Sequence, residues 1–297
     1  MKWTLCIIVF TISLFACNTG DQLPVPVDKP ELVVYCWMNP NKIFSVNISL
    51  SDPLNAQPQT EVRKDCIVEI QIPGKGTELL YSLKDGNYIS SGMYPEPGKL
   101  YKMKIIDPVY GKVSSEETMP FLPANIQFED TLYKISEKVI GDYTTIKYKY
   151  SLQLPSTSIS IPNYYQLLVQ DEFLNQSGKD SLRTVTIDPT SENNTSIKVF
   201  NKVSLLINIE KATLEGKSNI EFDFETSHLT NIETPLNLQL ELRCISSNYY
   251  KHFNSIYYQL KGSANPLENP PPLFSNISNG LGLFGGYYPI RKDIKYP

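Results

Sequence analysis

Apolar and polar residues alternate through much of the chain after residue 30, in short runs that are separated by turn residues. The alternation is clearest in Phe44–Ser51 and Tyr101–Ile105, where every second side chain is apolar. Pro73-Gly74 and Asp85-Gly86 are typical turn signals between such runs. The strands predicted in this part are Glu31–Met38, Phe44–Ser51, Cys66–Ile72, Glu78–Leu83, Leu100–Asp107 and Lys112–Met119. About seven short strands in roughly 90 residues indicate an antiparallel sandwich of the immunoglobulin or transthyretin type.

The runs lengthen after Pro120 and Pro123, which bracket a predicted domain boundary. The predicted strands beyond it are Thr144–Leu154, Tyr164–Phe173, Ser181–Ile187, Ser196–Val203, Leu205–Leu214, Asn219–Thr226 and Leu236–Ile245. We therefore expect a β-sandwich domain over residues 30–120 and a second β-rich sandwich or barrel over residues 121–297.

One segment changes to a helical period, close to residues 247–261. Ser246 or Ser247 can cap its N-terminus, and Gly262 can end it. The apolar residues Tyr249, Phe253, Ile256 and Leu260 share one face of that helix. The predicted fold class is all-β with one short C-terminal helix.

The first residues have the pattern of a secretory leader. Lys2 gives a positive start, Leu5–Phe15 is an apolar stretch too short to span a bilayer, and the small Ala16 precedes Cys17. Leu14-Phe15-Ala16-Cys17 looks like a bacterial lipobox, with the bulky Phe15 as its departure from the motif. We predict a signal peptide over residues 1–16 and lipidation of Cys17; the alternative is ordinary cleavage that leaves Cys17 as a free thiol.

A tether is predicted after the leader, over residues 17–29, because Pro24 and Pro26 stand there among polar residues. Several acyl chains on Cys17 would hold the mature protein on a membrane. The sequence does not decide whether the protein faces the periplasm or the cell surface.

Charge and composition argue against two partner classes. The chain has 27 Lys and Arg against 31 Asp and Glu, a net charge of −4, and no basic block, so we expect no nucleic-acid partner. His228 and His252 are the two histidines, and the cysteine spacing fits no zinc motif, so no metal site is predicted. Cys36 and Cys66 lie in strand patterns, either as buried thiols or as a disulfide bridge.

Motifs of known chemistry are weak in this chain. Gly280, Gly282 and Gly285 spell the dinucleotide-binding pattern, but twelve residues remain after Gly285, too few to complete a strand–helix–strand unit. We expect no nucleotide and no cofactor. The glycines should take backbone angles or close approaches that a side chain would obstruct, while Leu281, Leu283 and Phe284 pack on the second domain. No Gly-x-Ser-x-Gly motif occurs, and carboxylate pairs such as Glu116-Glu117 and Asp171-Glu172 serve hydrolysis only if the fold gathers them. No catalytic residue is predicted.

Several segments in a fixed order carry a family resemblance. They are Leu32–Val34, Phe44–Ser51, Leu240–Ser246, Tyr249–Lys251, Asn269-Pro270, Phe274–Ile277 and Gly280–Gly285. Together with the lipobox and tether they resemble the Bacteroidota lipoproteins grouped as domain of unknown function 4249. The resemblance implies an outer-membrane lipoprotein encoded near a TonB-dependent receptor, and it supplies no catalytic residues.

These features predict a non-enzymatic lipoprotein anchored to the outer membrane through Cys17. It would assist a TonB-dependent receptor barrel as a lid, a capture subunit or an assembly factor. A stand-alone ligand-binding or adhesion lipoprotein is the alternative, and an envelope hydrolase with a carboxylate pair is the third possibility.

Overall fold

A computed structural model describes residues 29–52, 61–121, 130–153, 164–188, 196–217, 219–262 and 271–297. These residues form eighteen β-strands and two α-helices, which confirms the all-β class. The strands are β1 Leu32–Met38, β2 Ser45–Leu50, β3 Ile67–Ile72, β4 Gly76–Leu79, β5 Tyr81–Ser82, β6 Asn87–Ile89, β7 Leu100–Asp107, β8 Gly111–Thr118, β9 Asp130–Ile140, β10 Tyr143–Gln153, β11 Tyr164–Leu174, β12 Asp180–Thr184, β13 Thr186–Ile187, β14 Ile197–Phe200, β15 Ser204–Asn208, β16 Asn219–Leu229, β17 Thr234–Ile245 and β18 Leu281–Lys295. The helices are α1 Ile209–Leu214 and α2 Ser247–Gly262.

In the first sandwich, four strands at one end of a ten-stranded sheet pack against a four-stranded sheet. The ten-stranded sheet contributes β5, β6, β2 and β1, and the smaller sheet runs in the order β4-β3-β7-β8. Alternating side chains of both sheets fill the space between them, including the buried Val34, Ile48, Val68 and Met103. Burial of each such apolar side chain contributes about 1.5–3 kcal/mol, so the period-two pattern of the sequence determines this core.

The second sandwich uses the other part of the same ten-stranded sheet. Strands β14, β15, β11 and β17 lie in that part, and β12 pairs with β11. A four-stranded sheet in the order β13-β16-β10-β9 packs on it. The buried Tyr150, Leu167, Ile207, Phe222 and Leu240 belong to its core.

Strand β18 joins the two parts of the ten-stranded sheet. Its first residues pair in parallel with β1, from Val33 opposite Leu281 to Met38 opposite Gly286. From Tyr287 onward it pairs antiparallel with β17 instead. Strand β18, the last of the described strands, therefore lies in the middle of the ten-stranded sheet.

The predicted glycine role is confirmed at Gly280 and Gly282, where β18 begins. Gly282 has a φ of +114°, and a Cβ there would lie 2.0 Å from the carbonyl oxygen of Val34. A Cβ at Gly280 would lie 2.8 Å from the carbonyl oxygen of Leu32. Glycine is required at both positions because β18 runs so close to β1.

Two sequence-based expectations were wrong in detail. Leu205–Leu214 is not one strand, because the Asn208 side chain accepts a hydrogen bond from the backbone N–H of Lys211 at 3.0 Å and starts α1 there. Phe284 was expected to pack on the second half of the chain. It lies in the core of the first sandwich, since the parallel pairing with β1 carries it there.

The domain boundary expected near residue 120 stays a prediction, because it concerns whether the two parts of the chain fold independently. Residues 31–51 and 60–297 form one compact unit. Within that unit β18 pairs with a strand from each predicted domain.

Helix α2 covers the face of the ten-stranded sheet that neither four-stranded sheet covers, and it confirms the predicted helix. Ser246 caps it, since its hydroxyl accepts a hydrogen bond from the backbone N–H of Tyr249 at 3.3 Å. Trp37 on β1 packs against the rings of Tyr249 and Phe253 on the helix, with centroid distances of 5.4 and 5.7 Å. An aromatic layer therefore fixes the helix to the sheet.

Candidate functional site

A polar groove crosses the outer face of the four-stranded sheet β4-β3-β7-β8, with a cavity volume of about 490 Å³. The strand register arranges its side chains in rows across the sheet. In one row Glu69, Lys104 and Ser114 stand opposite each other on β3, β7 and β8. The next row holds Thr77, Gln71, Lys102 and Glu116.

Residues 276–278 form one wall of the groove, beside β8. The backbone of Ser278 pairs with that of Ser114 in both directions, at 2.8 and 3.3 Å. The side-chain amide of Asn276 also bonds the backbone N–H and carbonyl of Phe284, at 2.9 and 2.8 Å. This wall is consequently held by fixed hydrogen bonds to two different strands.

The charges of the groove are mixed, with an excess of ammonium groups. Lys104 donates a hydrogen bond to Glu69 at 2.9 Å, and Lys102 lies 3.7 Å from Glu116. Lys112 lines the same groove and has no carboxylate within 4 Å among the residues that the structure describes. Three lysines therefore face two glutamates, although the chain as a whole has a net charge of −4.

A second surface feature is strand β9, which is the outermost strand of its sheet. Its exposed side chains include Tyr133, Ile135, Val139 and Ile140, of which Val139 is 66% exposed. A register shift between Lys147 and Tyr148 marks a bulge in its pairing with β10. A bulge discourages indiscriminate strand pairing, whereas exposed apolar side chains on an edge favour a specific contact.

Inside the second sandwich, a buried contact between an aspartate and a histidine spans the two sheets. Asp171 on β11 has its Oδ2 2.8 Å from Nε2 of His228 on β16, and both side chains are almost fully buried. Tyr296 donates a hydrogen bond to Oδ1 of Asp171 at 2.5 Å. Burial, the largest effect, and the nearby Asp171 carboxylate together raise the pKa of Tyr296, so its hydroxyl stays protonated as a donor.

An ion pair between a partly exposed arginine and a buried aspartate lies in the first sandwich. Arg63 donates hydrogen bonds to both carboxylate oxygens of Asp107, at 2.8 and 3.2 Å. Burial alone would raise the pKa of Asp107, but the bonds from Arg63 and from two backbone N–H groups outweigh it and lower that pKa to about 2. Burial raises the pKa of the neighbouring Cys66 thiol to about 12, so this thiol is protonated and unreactive at neutral pH.

The cap of α2 contains a buried carboxylate. Glu117 at the end of β8 accepts hydrogen bonds from the hydroxyl of Ser246 and the backbone N–H of Thr118, both at 2.9 Å. Burial raises its pKa above the ordinary value. This carboxylate connects the first sandwich to the start of the helix.

The carboxylate pairs of the sequence are separated by the fold. Glu116 faces the groove whereas Glu117 is buried at the helix cap, because neighbouring strand residues point to opposite faces. Likewise Asp171 is buried beside His228, and Glu172 accepts a hydrogen bond from Asn237 at 3.3 Å. The structure does not gather either pair into one site.

The other residues that the sequence analysis singled out either have a structural role or lie outside the described residues. Cys17, the predicted lipidation site, and the predicted tether up to residue 28 lie outside the described residues. Cys36, Cys66 and Cys244 are free thiols. His252 is buried, and its ring Nδ1 lies 2.6 Å from the carbonyl oxygen of Phe274.

Sequence reasoning missed the groove, although part of the signal was visible. The alternation in Tyr101–Ile105 indicated that β7 has one apolar and one polar face. The assembly of polar residues from β3, β7 and β8 into one groove depends on the register and on the distant wall at residues 276–278, which alternation within a strand does not reveal.

The described residues contain no helix that is long and apolar enough to cross a membrane. Nor do they hold a group of three or more His, Cys, Asp or Glu side chains placed to bind a metal ion.

The family model described as "Domain of unknown function (DUF4249)" matches residues 19–292 of the chain. No curated protein matches this chain. Among solved structures, a crystal structure of a mutant alpha-2-macroglobulin from Salmonella is 14% identical, with a TM-score of 0.24. That match covers 78% of this chain and 15% of the other, and a TM-score of this size does not establish a shared fold.

Proposed function

We propose that this chain, which belongs to the DUF4249 family, is a non-enzymatic envelope lipoprotein that assists a TonB-dependent outer-membrane transporter. The mature protein would be held at the outer membrane of a Bacteroidota cell through an acylated Cys17. Its task would be to capture a ligand for the transporter, to close it as a lid, or to help its assembly.

The anchor is supported by the order of features at the start of the chain. A short apolar stretch ends on Ala16-Cys17, and a proline-containing polar segment separates this cysteine from β1. Several acyl chains, at about 0.8 kcal/mol per buried CH₂ group, are sufficient for stable membrane attachment.

The single observation that carries the proposal is the exposed apolar edge at β9. Tyr133, Ile135, Val139 and Ile140 are exposed on the outermost strand of its sheet. A specific partner that covered such a strand would bury apolar area and gain new backbone hydrogen bonds. We assign this edge to the receptor barrel.

The arrangement of buried ionisable groups also supports binding over chemistry. Asp171 is paired with His228 inside the second sandwich, and the buried Asp107 is paired with the partly exposed Arg63. The buried carboxylates of both pairs are turned away from solvent, where a substrate would arrive.

Affinity purification from native membranes in mild detergent, followed by mass spectrometry, tests the proposal. We expect a receptor barrel to copurify with the wild-type protein and to be lost from Val139→Glu, because a charge at the edge prevents apolar contact. Val109→Glu is the matched control, since Val109 is 72% exposed on the first sandwich, away from β9. It should retain the barrel.

Recovery of the lipoprotein alone, with unchanged growth of a deletion strain on receptor-dependent nutrients, would contradict the proposal. The second candidate function, a stand-alone binding lipoprotein, would then be favoured. The groove on β4-β3-β7-β8 is the observation that supports this second candidate.

A further inference from the structure

The groove on the first sandwich has the size of a site for a small ligand. Its volume of about 490 Å³ falls within the range of ordinary ligand sites, roughly 300–1,000 Å³. The residues that line this one carry charged, hydroxyl or amide side chains, apart from Met103, and carbon atoms also form part of its surface. A matching ligand therefore offers hydrogen-bonding groups together with some carbon surface.

The lining also selects the sign of the ligand's charge. Lys112 has no anionic partner among the described residues, and Lys102 is only loosely paired with Glu116 at 3.7 Å. Exposed ion pairs of this kind are worth about 0–1 kcal/mol, so a ligand anion can replace Glu116 beside Lys102 at little cost. The groove consequently favours negative groups spaced along a polar chain.

The position of the groove decides between a saccharide and a peptide. An extended peptide gains affinity mainly by pairing its backbone with a free strand edge. Here β3 and β7 are central strands, and their backbone groups already pair with β4 and β8 on either side. The two central strands therefore offer a ligand only their side chains, and at the edge strand β8 the backbone of Ser114 is already paired with Ser278. Hydroxyls such as those of Ser114 and Thr77 suit the hydroxyl groups of sugars.

We propose that this groove binds an anionic oligosaccharide, with Lys102, Lys104 and Lys112 contacting its acidic groups. The hydroxyl and amide side chains between them bond the sugar hydroxyls. The wall at residues 276–278 is fixed to β8 and β18 by hydrogen bonds, so the site is formed before the ligand arrives. This inference concerns the groove alone and does not depend on the receptor partnership.

Isothermal titration calorimetry on a soluble form that begins at Asn18 tests the proposal. The probes are a tetrasaccharide of galacturonic acid, its methyl ester as the uncharged form, and a tetrapeptide of glutamic acid as the competing ligand class. The free acid should bind at micromolar to millimolar concentration, more weakly as salt is raised, and more tightly than either comparison probe.

Two variants place the binding in the groove. Lys112→Glu should weaken binding by about tenfold or more, since it puts a negative charge where an attractive one stood. Ser114→Tyr should abolish it by filling the middle of the groove. Lys138→Glu on β9 is the matched control and should bind as the wild type does, and unchanged Trp37 fluorescence would show that each variant is folded.

Three results would overturn the inference. The first is no binding of the free acid at millimolar concentration. The second is binding that Lys112→Glu and Ser114→Tyr leave unchanged. The third is equal or tighter binding of the methyl ester or the glutamate peptide. Since no receptor is present in this experiment, its outcome is separate from that of the copurification.

Discussion

Replacement of Gly282 by alanine is the sharpest test of the pairing between β1 and β18. Two effects combine at this residue. A φ of +114° is strained for any residue with a Cβ, at about 1–3 kcal/mol. In addition, the Cβ would lie 2.0 Å from the carbonyl oxygen and 2.8 Å from the carbonyl carbon of Val34, and neither atom belongs to a flexible side chain.

The contact can be relieved only by moving β18 away from β1. Their ladder has six residue pairs, from Val33–Leu281 to Met38–Gly286. Each hydrogen bond lost from such a ladder costs about 1 kcal/mol, and the loosening also exposes apolar side chains on both strands. We expect Gly282→Ala to lower the free energy of unfolding by at least about 4 kcal/mol, a large part of the 5–15 kcal/mol typical of a whole domain.

Gly76→Ala is the matched control, because Gly76 has a similar φ of +95° and no atom within 4 Å of its added Cβ. It should cost about 1–2 kcal/mol. Urea unfolding of the form that begins at Asn18 measures both values through Trp37, the single tryptophan left after removal of Trp3. Trp37 stands opposite Gly285 in the ladder. If Gly282→Ala cost no more than Gly76→Ala, the close approach of β18 to β1 would be refuted.

Three further predictions concern the buried ionisable groups, and each is measured by urea unfolding at several pH values. Arg63→Met should destabilise the fold by about 3 kcal/mol at pH 7 and by less at pH 3, since it leaves Asp107 unpaired. The pKa of Asp107 in the fold, about 2, is below its value in the unfolded chain. This carboxylate therefore stabilises the fold above about pH 4, and that contribution is lost as the pH falls toward 2. A stability difference between Arg63→Met and the wild type that stayed constant across pH would contradict this account. Glu117→Gln should leave stability at pH 7 unchanged or higher, because the raised pKa means that the charged form disfavours folding at neutral pH; a loss of several kcal/mol would refute it. Tyr296→Phe should cost about 2 kcal/mol by removing the hydrogen bond to buried Asp171, and a neutral effect would show that this bond contributes nothing.

Strands with one buried face could be predicted from the sequence, and strands without one could not. Leu100–Asp107 has the same bounds in prediction and structure, since alternate side chains of β7 enter the core. Asp130–Ile140 went unnoticed because nearly all of its side chains are exposed or half-buried, which removes the alternation. The apolar run after Leu205 indicated a long strand, although the cap at Asn208 changes it to a helix.

The functional surfaces were harder to predict than the strands. Polar residues on the outer face of a strand have the same pattern whether they face bulk water or a groove. The wall at residues 276–278 reaches the groove through pairing with Ser114, more than 150 residues earlier in the chain. Pairing between such distant segments depends on the complete tertiary structure, which local periodicity does not encode.

Because β18 lies in the middle of the ten-stranded sheet, that sheet cannot be completed until β18 has been synthesised. Until residues 281–295 leave the ribosome, β1 and β17 each have a free edge, and both edges belong to what becomes the middle of one sheet. Such open edges favour pairing with other chains, so the nascent protein passes through an aggregation-prone stage that ends only when β18 has paired with both strands. A chain that ended before β18 would stay at that stage, and the cell would encounter it as a substrate for chaperones and proteases rather than as a slightly smaller version of the same protein.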